Sequence, residues 1–196
     1  MKRNQRDAIA GADDGGDLAL LERIADGDRA ALEEIYLLYH ARVFKFVFRL
    51  TRSYTAADEL VNDIMLVVWD KAASFRGDSK VSTWIFGIAY KQAMRRLTRK
   101  RMKNRLLSDV DEPHDDRNMA ETRDWIERGL LELPAAQQLT VILVFYHGLT
   151  YEETARVTNC PVNTVKTRMY HARRKLKQYL SASAKPGSLA GEADED

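Results

Sequence analysis

Apolar side chains recur every three or four positions through most of this chain, with few interruptions. That spacing marks amphipathic helices, whose periodicity puts such residues on one face. One stripe runs Leu32, Ile35, Tyr39, Val43, Phe46 and Leu50; Leu37, Phe44 and Phe48 lie off it, which predicts a helix buried on two sides. A second joins Leu60, Ile64 and Val67 beside Val61, Met65 and Val68, and a third joins Val81, Ile85, Ile88, Ala89, Ala93 and Leu97. Only 10 Gly and 4 Pro occur in 196 residues, where average usage gives about 14 and about 10. Few breakers leave room for long helices, and no segment alternates as a half-buried strand must. The expected fold is all-α: two small helical domains joined by a flexible linker, the second a helix-turn-helix domain.

Capping residues give provisional boundaries. Residues 1–16 are polar, contain GADDGG, and are expected to be disordered. Asp17 can cap a short helix through Ala25 that Gly27 ends, and Asp28 can cap the next. Thr55 with Asp58 resembles a capping box that opens a helix ending near Ala73, and the loop SFRGDSK follows.

The net charge is only +2, but charge is segregated along the chain. Lys91, Arg95, Arg96, Arg99, Lys100, Arg101, Lys103 and Arg105 form a basic run with no acidic residue among them. The sign then inverts, with Asp109, Asp111, Glu112, Asp115, Asp116, Glu121 and Asp124 against Arg117 and Arg123. This divides the chain into a first domain over 17–105, an acidic linker over 106–122, a second domain over 123–181 and an acidic disordered tail over 182–196.

Residues 148–179, GLTYEETARVTNCPVNTVKTRMYHARRKLKQY, carry the sharpest local signal. Thr150 and Glu153 make a capping box, Ala155 is small where a second helix must cross, and Asn159 to Pro161 form a turn. Asn163 can cap a second helix from Thr164 that buries Val165, Met169, Ala172, Leu176 and Tyr179. Its other side carries Lys166, Thr167, Tyr170, Arg173, Arg174 and Lys177. This is the helix-turn-helix plan, in which the second helix enters the major groove by its N-terminus. Lys166 and Thr167 would then face base edges, and Arg173, Arg174 and Lys177 phosphates. A merely solvated basic stripe fits less well, because no acid balances it.

The Lys91–Arg105 run reads either as a solvated face or as a nucleic-acid track. Phe75, Trp84, Phe86 and Tyr90 just upstream read either as core or as stacking platforms of the kind that bind single strands. The one cysteine, Cys160, excludes a disulfide framework and reads as a turn residue. His40, His114, His147 and His171 have no metal-like spacing, and no phosphate-binding glycine loop or nucleophile elbow occurs, so no cofactor, metal or catalytic residue is expected. With no apolar leader and no run near the length of a membrane span, a cytoplasmic location is expected.

Three segments in this order resemble the extracytoplasmic-function (ECF) sigma factors of bacterial RNA polymerase: ADELVNDIMLVVWDKAASF, FRGDSKVSTWIFGIAYKQAMRRLTRK and LTYEETARVTNCPVNTVKTRMYHARRKL. The resemblance spans roughly 17–180 and implies a non-enzymatic promoter-specificity subunit. It implies that Glu59, Asn62 and Asp63 dock on the clamp coiled coil of the largest polymerase subunit, Asn62-Asp63 standing where the family usually has Gln-Glu. It further implies that the loop from Phe75 to Val81 receives an extruded promoter base. Phe86, Ile88, Ala89 and Lys91, with Arg95 on the same basic track, would bind the minus-ten single strand. Lys166, Thr167, Arg168, Tyr170 and His171 would read the minus-thirty-five duplex. Its implied partners are core RNA polymerase, including the flap of the second-largest subunit, promoter DNA in duplex and single-stranded form, and an anti-sigma protein. The alternative is a stand-alone helix-turn-helix regulator of duplex DNA.

Overall fold

The computed structural model describes residues 14–106 and 124–183. Every regular element among them is helical. The expected linker and tail lie almost wholly outside these residues, as do residues 1–13 of the expected disordered N-terminus. Asp14, Gly15 and Gly16 instead begin a helix, α1 (Asp14–Ala25). Asp17 is not its cap. It lies inside α1, buried, and accepts a hydrogen bond from the Tyr39 hydroxyl.

Asp28 caps α2 (Arg29–Thr51) through Ala30 N at 2.8 Å and Ala31 N at 3.3 Å. Arg52 ends α2 in the left-handed conformation at φ 53°, which turns the chain early. Ser53, not Thr55, therefore caps α3 (Tyr54–Lys71), its Oγ accepting from Ala56 N at 3.3 Å. A 3-10 turn over Ala72–Ser74 leads into the loop, and α4 (Val81–Leu106) follows. The apolar stripes of α2, α3 and α4 meet as the sequence predicts: Ile35, Val43, Phe46, Val61, Ile64, Val68, Ile85 and Ala89 are fully or almost fully buried. Each such side chain larger than alanine contributes roughly 1.5–3 kcal/mol.

The second block opens with α5 (Asp124–Leu131) and continues through Pro134 into α6 (Ala135–Val141). A π turn over Ile142–Tyr146 extends α6. Gly148, at φ +70°, then reverses the chain, a conformation that costs glycine little. The Thr150–Glu153 capping box forms as expected and opens α7 (Tyr151–Thr158); Asn159, at φ 51°, closes it. Finally, α8 (Val162–Ser183) begins two residues before the expected Thr164. The Pro161 carbonyl accepts Thr164 N at 2.9 Å and Val165 N at 3.3 Å, so Asn163 lies in the first turn rather than at the cap.

The two helical domains are not joined by the linker alone; they also meet directly. Leu139, Ile142, Leu143, Leu149 and Val157 of the second block belong to the same buried core as α1–α4. A smaller core of Leu130, Leu133, Val141, Met169 and Ala172 ties α5, α6 and α8 to each other. His147, carried round by the π turn and Gly148, is 5% exposed. Its ring lies 5.5 Å from Phe46 and 4.6 Å from Phe86. The second block is therefore seated against α2 and α4.

Candidate nucleic-acid interface

The helix-turn-helix is built from its ends inward. The Thr150 hydroxyl accepts from Glu153 N at 3.1 Å while the Glu153 carboxylate accepts from Thr150 N at 2.7 Å, so α7 starts with two donors satisfied. Val165, Met169 and Ala172 are buried and fix the rotation of α8. That rotation leaves Lys166, Thr167, Tyr170, His171, Arg173, Arg174 and Lys177 exposed. Thr167 donates its hydroxyl proton to Asn163 O at 2.9 Å, which keeps its oxygen lone pairs outward as acceptors. Arg168 is half-buried, its Nη1 3.6 Å from Cys160 Sγ. The Tyr170 and His171 rings meet edge-on at 5.4 Å, and the Arg173 guanidinium lies 5.6 Å from the Phe145 ring centre.

The first block offers a cleft of about 370 Å³ between the 75–80 loop, the end of α3 and one face of α4. Such a volume suits a small planar ligand. Phe75 and Trp84 meet edge-on at 5.4 Å on its wall. Ile88, Lys91, Gln92 and Arg95 continue the wall along α4, and Lys71 and Arg76 add positive charge. Of the residues expected to touch the single strand, Phe75, Ile88, Lys91 and Arg95 line this cleft together. Phe86 and Ala89 do not. Both are 0% exposed on the opposite side of α4, where Phe86 packs edge-on against Phe46 at 5.4 Å and against His147. They are core residues here, and their assignment to a DNA surface is withdrawn. Arg76 belongs to the loop already singled out, but Gln92 did not emerge from the sequence; the i, i+4 spacing of Trp84, Ile88 and Gln92, flanked by Lys91 and Arg95, was the available signal.

Glu59, Asn62 and Asp63 are exposed on one face of α3. Glu59 Oε2 lies 2.7 Å from Arg96 Nη2 of α4, an exposed pair worth about 0–1 kcal/mol. Leu66, one turn on from Asn62 and Asp63, is 62% exposed and was not singled out in the sequence.

Two ionisable groups are displaced from their ordinary ranges. Burial between aromatic rings, with Arg42, Arg49 and Lys45 of α2 nearby, pushes His147 down to about 3, so it is neutral. Burial would raise the Glu153 carboxyl, but the Thr150 backbone bond and the Lys80 charge outweigh it and hold Glu153 below its usual value.

Comparison with known proteins follows this division of the chain. The family profile Sigma-70 region 2 matches residues 35–102, and Sigma-70, region 4 matches residues 123–176. The ECF RNA polymerase sigma factor SigM of Mycobacterium tuberculosis (strain H37Rv) is 31% identical over 173 residues, covering 88% of each chain. The chain belongs to the ECF RNA polymerase sigma factors. Region 2 holds α2–α4 and the cleft; region 4 holds the helix-turn-helix. The sigma factor acts in transcription initiation with core RNA polymerase on promoter DNA, and a stand-alone regulator would not require the region 2 match. The structure of CnrH in complex with the cytosolic domain of CnrY shares the fold, with TM-score 0.67 at 22% identity over 86% of this chain and 99% of that one. The sigma factor RpoE of Bartonella quintana, solved with the anti-sigma factor NepR, aligns with TM-score 0.60 at 25% identity over 76% of this chain and 96% of that one. No helix among the described residues is long and apolar enough to cross a membrane.

Proposed function

We propose that this sigma factor reads its promoter through two surfaces and docks on polymerase through a third. The cleft behind the 75–80 loop receives an extruded minus-ten base. Phe75 and Trp84 supply ring faces, and Lys91 and Arg95 hold the adjacent phosphates. Extruding a base costs a few kcal/mol of stacking, which a pocket and a cationic track can offset. Region 4 reads the minus-thirty-five duplex, with Lys166 and Thr167 on base edges, Arg168, Tyr170 and His171 flanking them, and Arg173, Arg174 and Lys177 on phosphates. Glu59, Asn62 and Asp63 meet the polymerase clamp, while region 4 meets the flap. The functional units are 17–105 and 123–181, joined by 106–122. The factor carries no chemistry of its own, acts in the cytoplasm with the polymerase, and is held by an anti-sigma partner, as the Bartonella relative is by NepR.

The observation that carries this reading is the cleft, where an aromatic pair and the cations Lys71, Arg76, Lys91 and Arg95 converge beside a loop. Transcription reconstituted with core enzyme and a promoter library tests it, with Asp63→Arg and Phe75→Ala. The first is expected to abolish holoenzyme formation. The second is expected to leave the closed promoter complex intact and remove permanganate-reactive thymines. Normal strand opening by Phe75→Ala would return the cleft to a structural role.

A further inference from the structure

We propose that an apolar groove on region 4 is a docking site for residues 184–196 of the same chain, and that the seated segment lays its acidic side chains over the phosphate-facing cations of α8. The proposal rests on the assignment of α8 to duplex DNA.

The groove lies between α5, the π turn that extends α6, and the last half of α8. Its volume is about 640 Å³, and Leu130, Val141, Phe145, Tyr146, Leu176 and Leu180 supply its apolar wall. It is open to solvent: Phe145 is 60% exposed and Leu180 37%. A contiguous apolar surface of this kind marks a place that something covers. Two cations, Arg173 and Lys177, stand in the same wall. The Arg173 guanidinium lies 5.6 Å from the Phe145 ring centre, so charge and apolar surface are contiguous. No acid among the described residues pairs with Arg173, Arg174 or Lys177. An occupant must therefore bring an apolar side chain for the wall and negative charge for the rim.

Residues 184–196, AKPGSLAGEADED, have that composition. Leu189 is their one large apolar residue, Glu192, Asp194, Glu195 and Asp196 follow it, and their one cation, Lys185, precedes it.

Position agrees with composition. Leu180 and Ser181 line the groove and α8 ends at Ser183, so the segment departs from the mouth of the groove itself. Pro186 does not continue a helix, and Lys185-Pro186-Gly187-Ser188 has Pro and Gly where type II turns favour them. A chain reversed there runs back along α8, with Leu189 beside the last turn. An extended segment advances ~3.3 Å per residue and a helix ~1.5 Å. Glu192 is then ~10 Å back, level with Lys177, which lies six residues before Ser183. Asp194 is ~16 Å back, level with Arg173 and Arg174. Duplex phosphates would have to displace these carboxylates to reach the same cations. A segment seated three-quarters to nine-tenths of the time would weaken duplex binding about four- to tenfold.

The first test compares the full chain, a chain stopped after Ser183, and Leu189→Ser in anisotropy titrations with cognate and scrambled duplex. At low salt the stopped chain is expected to bind both duplexes about four- to tenfold more tightly than the full chain. Leu189→Ser leaves every charge in place and is expected to recover at least half of that gain. At high salt the three should converge, because screening removes the carboxylate contacts. The second test reads docking directly, by the distance between spin labels in the full chain carrying Cys160→Ser, Glu132→Cys on the exposed turn after α5, and Ala193→Cys. A narrow distribution is expected, broadened by Leu189→Ser and by added duplex. Equal duplex affinities of the full and stopped chains would overturn the proposal, as would a broad distribution in the full chain. A gain on stopping the chain with none from Leu189→Ser would overturn the groove as the seat. A narrow distance lost on dilution with unlabelled chain would give the groove to a second copy and overturn the proposal equally. Failure of both chains to bind any duplex would instead fail the reading of α8, and the distance distribution would still decide whether the segment is seated.

Discussion

Acidification should loosen this protein by an amount set by one imidazole. His147 is neutral where it sits, held down to about 3 from an ordinary 6.5 by burial and by the positive charge of Arg42, Arg49 and Lys45. The native value is depressed, so the stabilising contribution is complete above pH 6.5 and is lost as pH falls toward 3. At pH 5.5 most exposed imidazoles are protonated while the packed one is not, which favours the unpacked state by roughly 1 kcal/mol. At pH 7.5 the same effect is below ~0.1 kcal/mol. Urea unfolding at the two pH values measures the change. His147→Phe is the control, because it keeps a ring between Phe46 and Phe86 and removes the titrating group. The parent is expected to lose roughly 1 kcal/mol more than His147→Phe between pH 7.5 and 5.5. Equal losses would mean that His147 titrates normally in the folded protein and that region 4 does not pack on region 2 as described.

Other expected outcomes concern region 4. In Gly129→Ala the new Cβ would lie 3.0 Å from Tyr179 Cδ1 and 3.3 Å from Leu176 Cδ2; the crowding costs roughly 1–3 kcal/mol and the better helix propensity of alanine returns about 1 kcal/mol, so thermal melts should show a net loss of up to about 2 kcal/mol, and a raised midpoint would mean a looser α5–α8 approach. Thr150→Ala removes half the capping box and should cost ~0.5–2 kcal/mol in urea, with Thr150→Ser recovering most of it. Lys166→Ala or Thr167→Ala should narrow the preference for the cognate over a scrambled duplex by ~1–3 kcal/mol in anisotropy titrations. Arg173→Ala should weaken both duplexes alike and reduce the salt slope by about one. A sequence-blind effect from all three would remove Lys166 and Thr167 from the base edges.

Helices were legible because their cores obey a three-to-four spacing, and the helix-turn-helix because Thr150, Glu153, Asn159 and Pro161 punctuate it within a dozen residues. The seating of region 4 was not. Leu139, Ile142 and Leu143 form a stripe that would serve a separate domain equally well, and a single histidine without a partner histidine carries no local signal. The same gap misplaced Phe86 and Ala89. The apolar positions of α4 outline two faces, one toward the cleft with Trp84 and Ile88, the other turned away from it toward α2 and His147 with Phe86 and Ala89. Periodicity finds both faces, but only tertiary packing tells which one stays open. The cap errors at Asp17, Thr55 and Asn163 share a cause. An Asp, Thr or Asn near a helix start is a competent cap, and backbone geometry at Arg52 and Pro161 decided the starts of α3 and α8.

The shared core also changes what the connection between α4 and α5 is for. Leu139, Ile142, Leu143, Leu149 and Val157 pack with α1–α4 by side-chain burial that does not depend on an unbroken backbone. A nick between residues 106 and 124 would leave the two fragments associated, and the halves supplied as separate polypeptides would assemble in trans. The connecting chain then acts as a concentration device, holding region 4 near its seat at an effective concentration on the order of millimolar. Cutting it would change how readily the halves find each other again, not the surface on which they meet.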